Sequence, residues 1–150
     1  MTPKMILLIG IPGSGKSTFY AQRLSENCVR VNLDTLKTRR READLIDRCF
    51  AECEEFCIDN TNLTRAERAK YIEKAKAYGW RVVGYFMQSV LKGCIARNAL
   101  RTGDARLPDK VVAAMSNRME LPSRDEGFDE LYFVDIRDGD YVISEWRDDK

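Results

Sequence analysis

Short apolar runs alternate with longer stretches of mixed polarity through most of this chain. Met5-Ile6-Leu7-Leu8-Ile9 is a continuous apolar run, too short for a helix and closed by Gly10, which is the pattern of a strand buried on both faces. Lys16 to Glu26 follows with Phe19, Tyr20, Ala21 and Leu24 near helical spacing. Val29 to Asn32 reads as a second strand that ends at Leu33-Asp34, and Thr35 to about Glu54 as one charged helix carrying Leu36, Leu45, Ile46 and Phe50. Phe56-Cys57-Ile58 is a third strand, closed by Asp59. Thr64 with Glu67 three residues on is a capping box, and the helix it starts stops at Gly79.

Trp80 to Met87 is a fourth buried strand. Ser89 can cap a helix to about Leu100, and Pro108 suits the first turn of another ending near Met119. Leu131 to Val134 is a fifth strand, and Tyr141-Val142-Ile143 is a candidate sixth at an edge, reached through Asp138-Gly139. The alternation predicts an α/β fold: a five-stranded, mainly parallel sheet with helices on both faces, one domain over residues 1–150. Ligands in such sheets sit beyond the carboxyl ends of the strands, which points to Gly10, Asp34, Asp59 and Gln88.

Composition narrows this only a little. The 25 basic and 24 acidic residues nearly cancel, so no global field announces a nucleic-acid partner. Five cysteines form no CxxC pair and histidine is absent, which argues against zinc and for reduced thiols. Cys49, Cys53 and Cys57 would share a helix face if the second helix ran that far. The first apolar run is far short of a membrane span or a signal peptide core, so a cytoplasmic protein with no membrane partner is expected, as a monomer.

Chemistry enters at Gly10-Ile11-Pro12-Gly13-Ser14-Gly15-Lys16-Ser17, which spells G-x-x-x-x-G-K-S between a strand and a helix. Glycines let the loop backbone wrap a phosphate, as Gly13, Ser14 and Gly15 would here. Lys16 adds a charge for the β and γ phosphates, and Ser17, the expected metal ligand, offers a hydroxyl to Mg²⁺. Thr18 continues the helix whose positive end faces the anion. The expectation is a P-loop NTPase fold binding ATP with Mg²⁺.

On the acceptor side, Asp34 could orient a hydroxyl and take its proton, or simply cap the helix starting at Thr35. Asp59 occupies a Walker-B-like position or is a turn residue. Arg97, Arg101 and Arg106 flank Gly103 in a stretch suited to a small arginine-bearing lid. Lys37, Arg39, Arg40 and Arg41 could hold an anionic acceptor beside Asp34, or form an exposed helix face.

The succession Ile9 to Phe19, then Val31-Asn32-Leu33-Asp34-Thr35-Leu36, then Ile58-Asp59-Asn60-Thr61-Asn62 resembles the kinase domain of polynucleotide 5′-hydroxyl kinases. The likeness continues through Arg65 to Gly79, Arg97-Asn98, Leu107-Pro108 and Glu126-Gly127-Phe128; Leu33 departs from it, since relatives often carry arginine there. The resemblance implies transfer of the γ-phosphoryl of ATP to the 5′-hydroxyl of DNA or RNA. It implies Asp34 as general base, Lys16 and Arg101 as catalytic cations, and Arg97 as a nucleotide contact in the lid. It places Lys37 and Asp59 with Asp34 on the acceptor side, and makes a separate phosphatase or ligase a candidate partner. The same lineage also includes kinases of sugars and nucleosides. A nucleotide-dependent binding module is the remaining alternative, and the guanine-reading N-K-x-D motif is absent.

Overall fold

The computed structural model describes residues 2–88, 90–103 and 106–147. Six strands form one sheet in the order β2-β3-β1-β4-β5-β6. They are β1 (Lys4–Ile9), β2 (Val29–Val31), β3 (Phe56–Asp59), β4 (Arg81–Met87), β5 (Glu130–Arg137) and β6 (Asp140–Glu145). Every neighbouring pair is parallel except β5 with β6. The expected five strands are therefore joined by the edge strand at Tyr141–Ile143, whose half-exposed residues gave only a weak apolar signal.

Helices cover both faces. On one, Ile6, Leu8, Cys57, Val83 and Met87 pack against Phe19 of α1 (Lys16–Arg23). On the other, Met5, Leu7, Ile9, Phe56 and Ile58 meet Ile46, Cys49 and Phe50 of α3 (Arg39–Ala51) and Tyr71, Ile72 and Ala75 of α4 (Arg65–Ala77). This is the alternation of β1 made physical, since successive side chains of a strand point to opposite faces. A third apolar group, Ile11, Leu63, Cys94 and Val112, fastens α5 (Leu91–Asn98) and α6 (Asp109–Arg118) beside the loop that follows β1.

The single helix expected over Thr35 to Glu54 is two. A short α2 (Leu33–Leu36) ends at Lys37, whose φ of 77° breaks the helical path. Thr38 then caps α3 by accepting from the Arg41 N–H at 3.1 Å. Cys53 and Cys57 consequently lie outside α3, so the three cysteines do not share a helix face. Thr64 caps α4 as expected, accepting from Glu67 N–H at 3.1 Å, and Gly79 follows with φ 76°. Ser89, expected to cap α5, and Asp104 and Ala105 of the lid lie outside the described residues. Among the described residues, no helix is long and apolar enough to cross a membrane.

β1 sits inside the sheet with β3 on one side and β4 on the other, and the chain leaves it toward β2 and later returns to its other side at β4. The crevice beyond its carboxyl end is the topological switch point, where ligands of such sheets bind.

Candidate active site

The loop after β1 is held open by backbone geometry. Gly13 and Gly15 have φ of 83° and 94°, and a Cβ on Gly13 would lie 2.2 Å from the Cys94 carbonyl oxygen of α5. Gly15 is also the N-cap of α1, with no side chain capping it and no acid in the first turn. The first N–H groups of this eight-residue helix are therefore left uncapped by any side chain of their own turn. Ser14 Oγ is buried with no hydrogen-bond partner, and the Lys16 ammonium turns back to donate to the carbonyls of Gly10 (2.8 Å) and Ile11 (3.1 Å). A cradle with an idle buried hydroxyl and a cation satisfied only by its own loop fits a phosphate chain.

Burial pushes the Lys16 ammonium down to about 8, helped by the charge of Arg101 and opposed by Asp59, Cys94 and Asp34. The groups that act on the lysine come from β3, α2, α5 and the segment after α5.

Ser17 Oγ donates to Asp59 Oδ2 at 3.0 Å. Asp59, at the end of β3, is 1% exposed and pairs with Arg30 of β2, Nε to Oδ2 at 2.8 Å. The Arg30 Nη2 also donates to Ser17 Oγ at 2.9 Å. Hydroxyl and carboxylate side by side are hard oxygen donors of the kind that Mg²⁺ takes, with phosphate and water completing its shell. Arg30 escaped the sequence reading because its partners are 29 and 13 residues away, although an arginine between two valines of a strand was a visible anomaly.

Asp34 is exposed in the first turn of α2. It does not cap that helix; Asn32 does, its Oδ1 accepting from Thr35 N–H at 3.0 Å. Asn32 Nδ2 donates to the Asp59 carbonyl at 2.6 Å, and Leu33 N–H donates to Asn60 Oδ1 at 2.9 Å. Asn60 is anchored in turn to the buried Glu42, which Tyr71 (2.8 Å) and Arg39 (3.0 Å) also bond. Asn62, with φ 49°, donates to the Leu8 carbonyl at 2.7 Å. The Asp59-Asn60-Thr61-Asn62 stretch therefore ties β1, β2 and α2 into one frame that fixes where Asp34 stands.

The lid region is likewise moored. Asn98, fully buried, exchanges two hydrogen bonds with Leu107 at 2.7 and 3.1 Å, closing the base of the segment that carries Arg101. Arg97 Nε reaches the Gly13 carbonyl at 2.5 Å. Of the basic cluster after α2, Lys37, Arg40 and Arg41 are exposed, while Arg39 is committed to Glu42 and Tyr71.

A parallel sheet with this loop at its switch point and a basic segment over it defines the α/β P-loop kinase fold, whose phosphate loop implies nucleotide binding. The chain belongs to the AAA domain family, which matches residues 5–48 and 37–122. It is 27% identical over 95% of its length to the bifunctional polynucleotide phosphatase/kinase of Schizosaccharomyces pombe, of which it spans 37%. It is 33% identical over 86% of its length to transcription factor bHLH140 of Arabidopsis thaliana, spanning 16% of that protein. Among solved structures, a gluconokinase from Sinorhizobium meliloti 1021 superposes with a TM-score of 0.60 at 20% identity, over 89% of this chain and 83% of that one.

Proposed function

We propose that this domain transfers the γ-phosphoryl group of ATP to the 5′-hydroxyl of a polynucleotide. The observation that carries the proposal is the state of Asp34: relieved of capping by Asn32 and exposed in the first turn of α2, just past β2. A carboxylate so placed accepts the proton of an incoming hydroxyl while its oxygen bonds to the γ-phosphorus and the bond to the β-phosphate oxygen breaks, releasing ADP. Lys16 and Arg101 offset the charge gathering on the transferred group, Gly13, Ser14 and Gly15 hold the remaining phosphates, and Thr18 extends the first turn of α1 beneath them. Arg97, now on the Gly13 carbonyl, is in reach of the same phosphates. Mg²⁺, bound through Ser17 and Asp59, would neutralise β and γ oxygens.

Two observations favour a polynucleotide over a small metabolite. Asp34 stands on an exposed rim beside Lys37, Arg40 and Arg41, which suits a chain of phosphates entering from solvent better than a walled pocket. The similarity to a polynucleotide phosphatase/kinase covers nearly the whole chain. The phosphatase activity in that relative's name, or a ligase, would then come from a separate unit.

The test is incubation with γ-labelled ATP and a 5′-hydroxyl oligonucleotide beside a panel of sugars and nucleosides. Label at the 5′ end of the oligonucleotide is expected, falling steeply between 50 and 200 mM salt as phosphate contacts are screened. Label in a small alcohol alone would replace the polynucleotide reading with a metabolite kinase.

A further inference from the structure

Arg30 is unusual because its guanidinium lies on the two oxygens best suited to a metal. Nε donates to Asp59 Oδ2 at 2.8 Å, Nη2 donates to Ser17 Oγ at 2.9 Å, and Ser17 in turn donates to the same Asp59 oxygen at 3.0 Å. The triangle is closed: the Ser17 lone pair that a metal would use is accepting from arginine, and the buried carboxylate already has a cation. Arg30 is fixed to the edge strand β2, so it is present at this spot at high local concentration, yet its side chain is 33% exposed and can leave into solvent without disturbing the core.

Among the described residues, no group of three or more acidic, cysteine or histidine side chains is disposed to hold a metal. Two protein oxygens are a poor site for a free divalent ion, which needs about six ligands.

We propose that Arg30 is a specificity-determining residue of the metal site: it acts as a resident counter-ion that excludes free divalent cations and yields only to a metal arriving with polyphosphate. This rests on the nucleotide-binding reading of the loop. When the metal nucleotide enters, the ion takes the Ser17 and Asp59 oxygens and the guanidinium is released toward solvent. No covalent bond changes; one cation replaces another on a buried carboxylate, so metal and arginine compete.

The test uses the nucleotide-free full chain, with Mn²⁺ as the probe and free ion counted by electron paramagnetic resonance. Arg30→Gln is expected to bind Mn²⁺ on the order of tenfold more tightly than the wild type, from loss of one positive charge within contact range. Arg30→Lys, which keeps the charge but not the planar fork, should fall between them. Adding Asp59→Asn to Arg30→Gln should abolish the gain. A Mn²⁺ affinity in Arg30→Gln equal to or weaker than wild type, in a protein that still binds ATP, overturns the proposal. Should Arg30→Gln fail to fold, unchanged or weakened Mn²⁺ binding in Arg30→Lys does the same. Gain of Mn²⁺ affinity without phosphoryl transfer by the wild type would keep the competition and reject only the proposed reaction.

Discussion

Raising the pH should strengthen this fold at one lysine. The Lys16 ammonium is 9% exposed, and burial above all lowers its pKa from 10.5 to about 8. Below pH 8 the amine is protonated in both folded and unfolded chains, and the folded state bears the full cost of the buried charge. Between pH 8 and 10.5 the unfolded chain binds a proton that the folded one does not, so stability contributed at this position rises with pH. Above 10.5 both are neutral and the cost is gone. The gap from 10.5 to about 8, at about 1.4 kcal/mol per pH unit, amounts to about 3 kcal/mol. Other groups work the opposite way: burial holds Cys28 and Tyr71 up at about 12, so they keep protons that the unfolded chain loses.

The measurement is therefore a difference, urea unfolding of wild type and Lys16→Met from pH 7.5 to 10.5. The methionine leaves the Gly10 and Ile11 carbonyls without their donor, but that offset does not depend on pH. The stability difference should shift in favour of the wild type by about 3 kcal/mol across the range. A difference that stays flat would show that the lysine titrates as it does in water, and the burial of Lys16 in the loop would be wrong.

Two further outcomes follow from buried and strained residues. Glu126→Ala should cost about 3–5 kcal/mol in chemical denaturation, because it strips the fully buried Arg68 of its bidentate partner at 2.8 and 3.2 Å. A loss under about 1 kcal/mol would mean that water reaches the guanidinium. At Lys37, where φ is 77°, glycine should be more stable than alanine by about 1 kcal/mol, while both weaken polynucleotide binding alike. Equal stabilities would remove the break between α2 and α3.

What could be read from the chain alone was what local pattern carries. The phosphate loop is eight consecutive residues, and the buried strands are short apolar runs between turn residues, so both were legible. Lys37 and Thr38 were missed because helix-forming residues on either side mask a one-residue reversal, and Thr38 lacks the glutamate partner that made Thr64 conspicuous. Arg30, Ser17 and Asp59 meet across as many as 42 residues of chain, and Arg68 finds Glu126 across 58, distances at which no local periodicity gives warning. Whether Asp34 capped α2 or stood free was undecidable from spacing, since Asn32 takes that task while Asn60, in the bend after β3, holds the next residue's N–H.

The central claim is that the Asp34 carboxylate removes the acceptor's proton, and replacing it with its uncharged isostere tests that most directly. Asp34→Asn, measured for phosphorylation of a 5′-hydroxyl oligonucleotide alongside ATP affinity, should lose roughly 10²–10⁴-fold in kcat while binding ATP as the wild type does. Turnover unchanged within a few fold would contradict the account.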